Sequence, residues 1–480
     1  MNLADLIETN STLPMLRVTA LTSDSRKVVA GSLFFSLNCH VGDAYFYATD
    51  AEKRGAVAVV IASGANLPNL SVPVIRVDDV RLALACAASR FYKRQPEVIT
   101  AVTGTCGKTS VVSFLRQIWN HNGFSAASIG TIGIISQKIM QSSSLTTPEP
   151  LELHSFLKEL SSDGVTHVAI EASSHGIKQR RLDGLRLTAA AFTNFGRDHI
   201  DYHITIEDYF NAKMRLFDKL LPHGAPAVVY SDNRYSTQVI EHIGRGKHHV
   251  LTVGRRGEFI RVIRVEYDGY RQYLDLECDG HIYDVALPLF GEFQMANAVM
   301  AAGLAIAIGE SPAAAFRALE RIKGAPGRLD FVAMTHTGAY IYIDYAHKPD
   351  ALENALKSLR SLTIGRILLV FGCGGDRDKG KRRIMGAIAV RFAEIVIVTD
   401  DNPRREDPAI IRKQILLGAS GAIEISDRRE AIYKAISMLE SGDTLIVAGK
   451  GHEEGQIIGN QFFPFSDYFE IYAALGAYVK

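Results

Sequence analysis

The stretch AVTGTCGKTSVVSFL, residues 101–115, sets the tightest limit on the fold. An apolar strand runs into a glycine-containing turn. A lysine, a threonine and a helix with apolar residues at helical spacing follow. EVITAV, THVAIEASS and LTAAAFTNF each read as an apolar run followed by a polar loop. That pattern is expected of a parallel sheet covered by helices on both faces.

A second series of the same kind begins after GAPGR at 324–328. YIYIDYA, RILLVFG, EIVIVTD and DTLIVAG each precede a helix-like stretch and end in Gly, Asp or His. Doubly wound sheets bind ligands at that end of their strands. Ahead of the first series, AVAVVIA and PVIRV read as buried strands and RLALACAASRFYKR as a helix, with a linker at Gln95-Pro96. The fold class expected is α/β in three domains: 1–96, 97–327 and 328–480. A length of 480 residues accommodates that number.

The formal charge is +1, so no global field draws the chain to nucleic acid or an anionic membrane. Anions must be held by local basic groups. Five scattered cysteines without a CxxC spacing argue against a zinc site or a disulfide framework. The N-terminus lacks the charge and apolar core of a secretory signal, and no apolar run is long enough to span a bilayer. A cytoplasmic protein is expected.

GTCGKTS is a variant phosphate loop. Gly104 and Gly107 let backbone amides turn toward phosphate oxygens, Lys108 supplies charge and Thr109 a hydroxyl for magnesium. Only two residues separate the glycines, where the common loop has four. Glu171 ends a strand and suits a magnesium ligand. The cluster Asp198, His199, Asp201 and His203 reads either as a metal site or as a polar loop. Read by itself, Lys213 is a solvated helix lysine.

These residues also carry a resemblance. TGTCGKTS, TTPEP, EASSHGIKQRR, NFGRDHIDYH and YFNAKMRLF resemble the central domain of the Mur ligases, ATP-dependent amide-bond formers of peptidoglycan synthesis. APGRLD, DYAHKPD, GCGGDRDKGKR, DDNPR and AGKGHE extend the resemblance into the third domain, and SDSRKVVAGSLFFSL into the first. The resemblance implies a small N-terminal α/β uridine-nucleotide domain, a central P-loop-type ATPase domain and a C-terminal Rossmann-like domain. It implies a monomer that uses ATP and Mg2+. DNPR points to the branch that adds meso-diaminopimelate to UDP-N-acetylmuramoyl-L-alanyl-D-glutamate.

Carried over residue by residue, ATP falls to Gly104, Thr105, Cys106, Gly107, Lys108, Thr109, Ser110, Asn297, Arg328, Asp344 and His347. Catalysis falls to Lys108, Glu171, His199, Lys213 and Arg328, and metal to Thr109, Glu171, His199 and a CO2-derived carbamate on Lys213. The uridine-nucleotide substrate falls to Ser23, Ser25, His40, Val41, Gly42, Thr146, Thr147, Ser173, Gln179 and Arg181. Diaminopimelate falls to Arg377, Asp401, Asn402, Pro403, Arg404, Gly449 and Glu453. Arg404 would pair with the carboxylate that distinguishes diaminopimelate from lysine.

The chain departs from the family pattern at Cys106, Leu145, Gln294, Asp330, Lys348 and Gly455. Three other readings remain beside this one: a lysine-adding branch, a folylpolyglutamate synthetase-like ligase, and a nucleotide-binding protein without catalysis.

Overall fold

The computed structural model describes the chain except residues 9–12, 38–40, 66–69, 144, 197, 199–201, 247, 269–270, 361 and 477–480, and for 41–45 it describes the backbone alone. Three main sheets follow one another along the chain. The first has four parallel strands in sequence order, Ala20–Thr22, Ser32–Phe35, Ala56–Ala62 and Val74–Val77. The helices Val41–Lys53 and Val80–Tyr92 accompany it.

The second sheet has eleven strands. At its centre lie Ala189–Phe192, Val98–Thr103 and His167–Glu171, mutually parallel and almost wholly buried. Burial on both faces explains why these strands read as continuous apolar runs. One face carries the helices Lys108–His121 and Glu292–Ala307, packed through Phe114, Ile118, Trp119, Met295 and Leu304. The other carries Pro150–Ser162 and Ile206–Arg215, packed through Leu153, Leu157, Tyr209 and Met214.

Beyond this parallel core the sheet continues into an antiparallel extension, Ile260–Asp268, Arg271–Cys278 and His281–Leu287. The sequence reading did not include it. Its strands alternate buried and exposed residues, the pattern of a sheet with one solvated face.

The third sheet runs Asp330–Met334, Tyr340–Asp344, Thr444–Ala448, Ile367–Phe371, Ile395–Val398 and Ile423–Glu424, with only the first strand antiparallel. Helices follow 340–344, 367–371 and 395–398 as expected. The strand 444–448 differs: a short hairpin, Gly455–Ile458 with Gln461–Pro464, intervenes before the helix Asp467–Ala474. That hairpin holds the 401–404 turn. The backbone N–H of Arg404 donates to the Ile457 carbonyl, and that of Gly459 to the Arg404 carbonyl.

Candidate active site

The phosphate loop is fixed from below by a second loop. Thr193 Oγ1 donates to the Cys106 carbonyl at 2.6 Å, Cys106 N–H donates to Asn194 Oδ1 at 2.9 Å, and Asn194 Nδ2 donates back to the Cys106 carbonyl at 3.1 Å. Gly107 has φ +85°, and a Cβ there would lie 2.4 Å from Asn297 Oδ1, so the loop needs glycine for both backbone and space. Cys106 therefore sits in a turn organised by its backbone, with Thr193 and Asn194 as partners the sequence reading did not assign.

Lys108 donates from Nζ to the carbonyls of Gly104 and Thr105, both at 3.0 Å. Lys213 donates to the same Gly104 carbonyl at 2.7 Å, with Nζ 4.4 Å from the centre of the Tyr209 ring. Lys213 is 1% exposed, which corrects its reading as a solvated helix lysine. The helix that carries it, Ile206–Arg215, turns its apolar face inward and takes the lysine with it. Burial holds the Lys213 amine well below the ordinary lysine pKa, and the nearby Lys108 ammonium lowers it further. Lys108 is lowered too, first by burial and then by Lys348.

A cavity of about 690 Å³ opens above this loop. It brings together Thr105, Cys106, Gly107, Lys108, Thr109 and Ser110 with Thr146, Glu171, Ser173, Lys213 and Asn297. From the third sheet it takes Arg328, Asp344 and His347. Arg328 Nη2 donates to Thr109 Oγ1 at 3.2 Å, and its guanidinium lies 4.5 Å from the Tyr345 ring centre. Gln294 Nε2 donates to the Arg328 carbonyl at 2.8 Å, so the departure at 294 has a use here.

Burial raises Asp344 to about 6, against the opposing pull of Arg328. Burial likewise holds His347 neutral, far below the usual imidazole value, and the Lys348 charge adds to that effect.

The donor set fits ATP and magnesium. Arg328 Nε is buried without a hydrogen-bond partner in a cavity otherwise rich in cations, a donor that a phosphate oxygen would satisfy. Thr109 and Glu171 offer the oxygen ligands magnesium prefers. Glu171 already accepts from Thr131, at Oε1 from its N–H (2.8 Å) and at Oε2 from its Oγ1 (3.1 Å), which orients the carboxylate. Among the described residues no group of three or more His, Cys, Asp or Glu is arranged to hold a metal.

The expected acidic and histidine cluster divides. His199 and Asp201 lie outside the described residues. His203 is fully buried, with Nε2 3.0 Å from Ser174 Oγ and Nδ1 3.4 Å from Asp208. Asp198 forms an ion pair with Lys348.

Beside the cavity, Thr147 Oγ1 donates to the Glu171 carbonyl at 2.7 Å and lies 3.0 Å from Ser173 Oγ. Arg181 donates to the Thr147 carbonyl and to Gln179 Oε1, and pairs with Glu149. These residues form one connected group. In the first sheet's region Ser25 is buried and hydrogen-bonded to Asp50, and Ser23 lies two residues away. His40 lies outside the described residues, as does the side chain of Val41, and Gly42 is described by its backbone. Neither Ser23 nor Ser25 reaches the cavity.

A third group gathers behind Tyr345. Asn402 Nδ2 donates to Glu453 Oε2 at 2.9 Å, and the fully buried Lys450 donates to Asn402 Oδ1 and Glu453 Oε2. Tyr345 OH donates to Glu453 Oε1 at 3.4 Å, so this group touches the cavity through one ring. Arg404 has φ +50° and donates from Nη1 to the Gly375 carbonyl. Gly374 lies against Arg404, with the Arg377 side chain beside it. A Cβ on Gly449 would stand 2.6 Å from Asp401 Oδ2. Tyr345, Lys348 and Lys450 were not assigned from sequence, although each lies inside a motif read there.

Residues 102–305 match the model of the Mur ligase middle domain, and residues 327–451 that of the Mur ligase, glutamate ligase domain. The chain belongs to the Mur ligase family. A relative in Brucella melitensis biotype 1, named UDP-N-acetylmuramoyl-L-alanyl-D-glutamate--2,6-diaminopimelate ligase, is 58% identical over 462 residues, 96% of this chain and 95% of that protein. A relative of the same name in Caulobacter vibrioides is 46% identical, over 95% of each chain. A solved structure titled as that ligase superposes with TM-score 0.72 and 31% identity, covering 99% of both chains. Folylpolyglutamate synthase from Mycobacterium tuberculosis shares this Mur ligase's fold at 18% identity and TM-score 0.64, over 77% of this chain and 92% of its own.

Proposed function

We propose that this Mur ligase joins meso-diaminopimelate to the D-glutamate carboxylate of UDP-N-acetylmuramoyl-L-alanyl-D-glutamate, with ATP converted to ADP and phosphate. The observation that carries the reading is the single cavity where the phosphate loop faces Arg328, Asp344 and His347. The named relatives, alike along almost their whole length, support the substrate assignment.

A substrate carboxylate oxygen attacks the γ-phosphorus of ATP and ADP leaves, giving an acyl phosphate. The amine then attacks the carbonyl carbon, and the tetrahedral intermediate expels phosphate and loses a proton. Protein groups act here by positioning and charge neutralisation. Gly104 to Ser110 line the triphosphate, and Lys108 and Arg328 neutralise it from two sides. Thr109 and Glu171 would hold magnesium, joined by His199 and a carbamate on Lys213. Magnesium, when bound, neutralises charge on the phosphate oxygens.

Lys213 suits carbamylation because burial lowers its amine's pKa well below the ordinary lysine value, which favours the neutral form, and only a neutral amine has the lone pair that adds to CO2. Protein incubated with 13C-bicarbonate should show a carbamyl carbon signal that Lys213→Ala lacks. Identical spectra would remove the carbamate from the mechanism.

Thr146, Thr147, Ser173, Gln179 and Arg181 take the diphosphate and peptide arm, and Ser23, Ser25 and residues 40–42 the uridine end. Arg377, Asp401, Asn402, Pro403, Arg404, Gly449 and Glu453 take diaminopimelate. These assignments divide the chain into domains 1–96, 97–327 and 328–480. The protein works as a monomer in the cytoplasm; among the described residues no helix is long and apolar enough to cross a membrane.

Phosphate release tests the reading, with ATP, magnesium and the UDP-dipeptide present and diaminopimelate or L-lysine added in parallel. Release with diaminopimelate alone is expected. Release with lysine would keep the ligase and refute the role of Arg404. Silence with both would overturn the reading.

A further inference from the structure

Lys348 is the least explained cation in the cavity. It departs from the family pattern after DYAH, it lines the cavity with Lys108, Thr109 and Glu171, and it comes from the third sheet's side. Its ammonium pairs with Asp198, which follows the central strand Ala189–Phe192, 150 residues away in sequence. Both side chains are largely shielded, at 19% and 11% exposure. An exposed pair would be worth little, but at this burial a charge acts over a short distance with weak screening.

The backbone under Lys348 is stiff. Pro349 follows and opens the helix Pro349–Arg360, and its ring disfavours the helical region for residue 348. The Leu352 N–H donates to the Lys348 carbonyl, and Lys381 Nζ donates to the His347 carbonyl at 2.7 Å. The ammonium is therefore presented from a fixed base rather than from a loose loop. Its charge reaches the phosphate loop, since it is the largest charge effect lowering Lys108 and also acts on Lys213. The cations Lys108, Arg328 and Lys348 thus converge on one cavity, and the buried Arg328 Nε still lacks an acceptor.

We propose that Lys348 is a further phosphate-binding residue, a cation delivered across the cleft by the third domain to the terminal phosphate of ATP, with Asp198 as its positioning partner. The inference rests on reading the cavity as the ATP site. Phosphoryl transfer leaves little covalent work to the protein, so a cation supplied from a second domain acts directly on developing charge. A strut that merely ties two loops together would not discriminate between nucleotides.

Titration calorimetry of ATP and ADP with magnesium, without the UDP-dipeptide so that no turnover occurs, separates these roles. Lys348→Met should weaken ATP binding about tenfold or more, the size of one lost charge-assisted hydrogen bond, and leave ADP within about twofold. Lys348→Arg should retain most ATP affinity. Asp198→Asn should weaken ATP less than Lys348→Met does. Urea midpoints check folding, and Lys348→Thr replaces the Met variant if that fails to fold. Equal changes for ATP and ADP, or none, would overturn the proposal. Wild-type protein that binds neither nucleotide would instead refute the ATP site itself.

Discussion

Asp344 accepts two backbone hydrogen bonds, from Leu329 N–H at 2.5 Å and from Ala346 N–H at 2.7 Å, and so shapes the turn that carries Tyr345 and His347. Burial nevertheless raises its pKa from 3.8 to about 6. The native state then binds more protons than the unfolded chain between about pH 4 and 6. Its contribution to stability is complete below pH 4 and is lost as pH rises through 6, with an upper bound of about 3 kcal/mol. Asp344→Asn should remove that slope while adding a constant cost, because its amide places a donor against one of the two N–H groups. Urea denaturation of both proteins at pH 5 and pH 7.5 checks this. The gap between wild type and variant should narrow at the higher pH; a constant gap would show that Asp344 is already ionised at pH 5.

At the level of elements, the start of the helix Arg428–Ser437 is tied to the start of the last helix, Asp467–Ala474, by a fully buried ion pair. Arg428 donates to both carboxylate oxygens of Asp467, at 2.7 and 2.8 Å, and to the Ala448 carbonyl. Removing one partner strands a buried charge, which costs about 3–5 kcal/mol, whereas replacing both with apolar residues of similar size is often near neutral. Asp467→Leu should therefore lower the urea midpoint much more than Arg428→Met/Asp467→Leu does. If the double variant is as unstable as the single, the stranded charge is not the cause.

Elements of this kind were only partly legible beforehand. Strands such as 98–103 and 367–371 stood out because burial on both faces makes them apolar throughout. The hairpin 455–464 did not, and it explains one departure from the family pattern. A Cβ on Gly455 would fall 2.0 Å from the Phe462 ring, so the ring fills the space above residue 455 from the opposite strand. Asp330 likewise accepts from Tyr468 OH at 2.5 Å, a partner 138 residues away. Nothing in the structure explains Leu145. The phosphate loop was readable because its chemistry is local, while the burial of Lys213 and the pairing of Asp198 with Lys348 depend on how separate sheets meet. No short-range pattern encodes that.

Across the whole molecule, chemistry depends on that meeting. Thr109 lies in the first turn of the helix Lys108–His121 on the central sheet and Arg328 in the chain entering the third, yet they are hydrogen-bonded, and Arg328 also stacks on Tyr345, which in turn reaches Glu453. Arg328 thus connects the phosphate loop to the group proposed for diaminopimelate. Its planar guanidinium makes both contacts at once. A lysine keeps the charge but has neither the flat face nor the forked donors. Arg328→Lys should lower kcat roughly 10- to 100-fold, because a lysine held less firmly and without forked donors meets less well the charge that develops as phosphate is transferred. It should leave KM for diaminopimelate nearly unchanged, since Arg404 and Glu453 remain in place. Steady-state kinetics with each substrate varied in turn would separate the two. A rise in KM for diaminopimelate with kcat preserved would mean that Arg328 acts mainly by holding Tyr345 against the acceptor site rather than by meeting the phosphate.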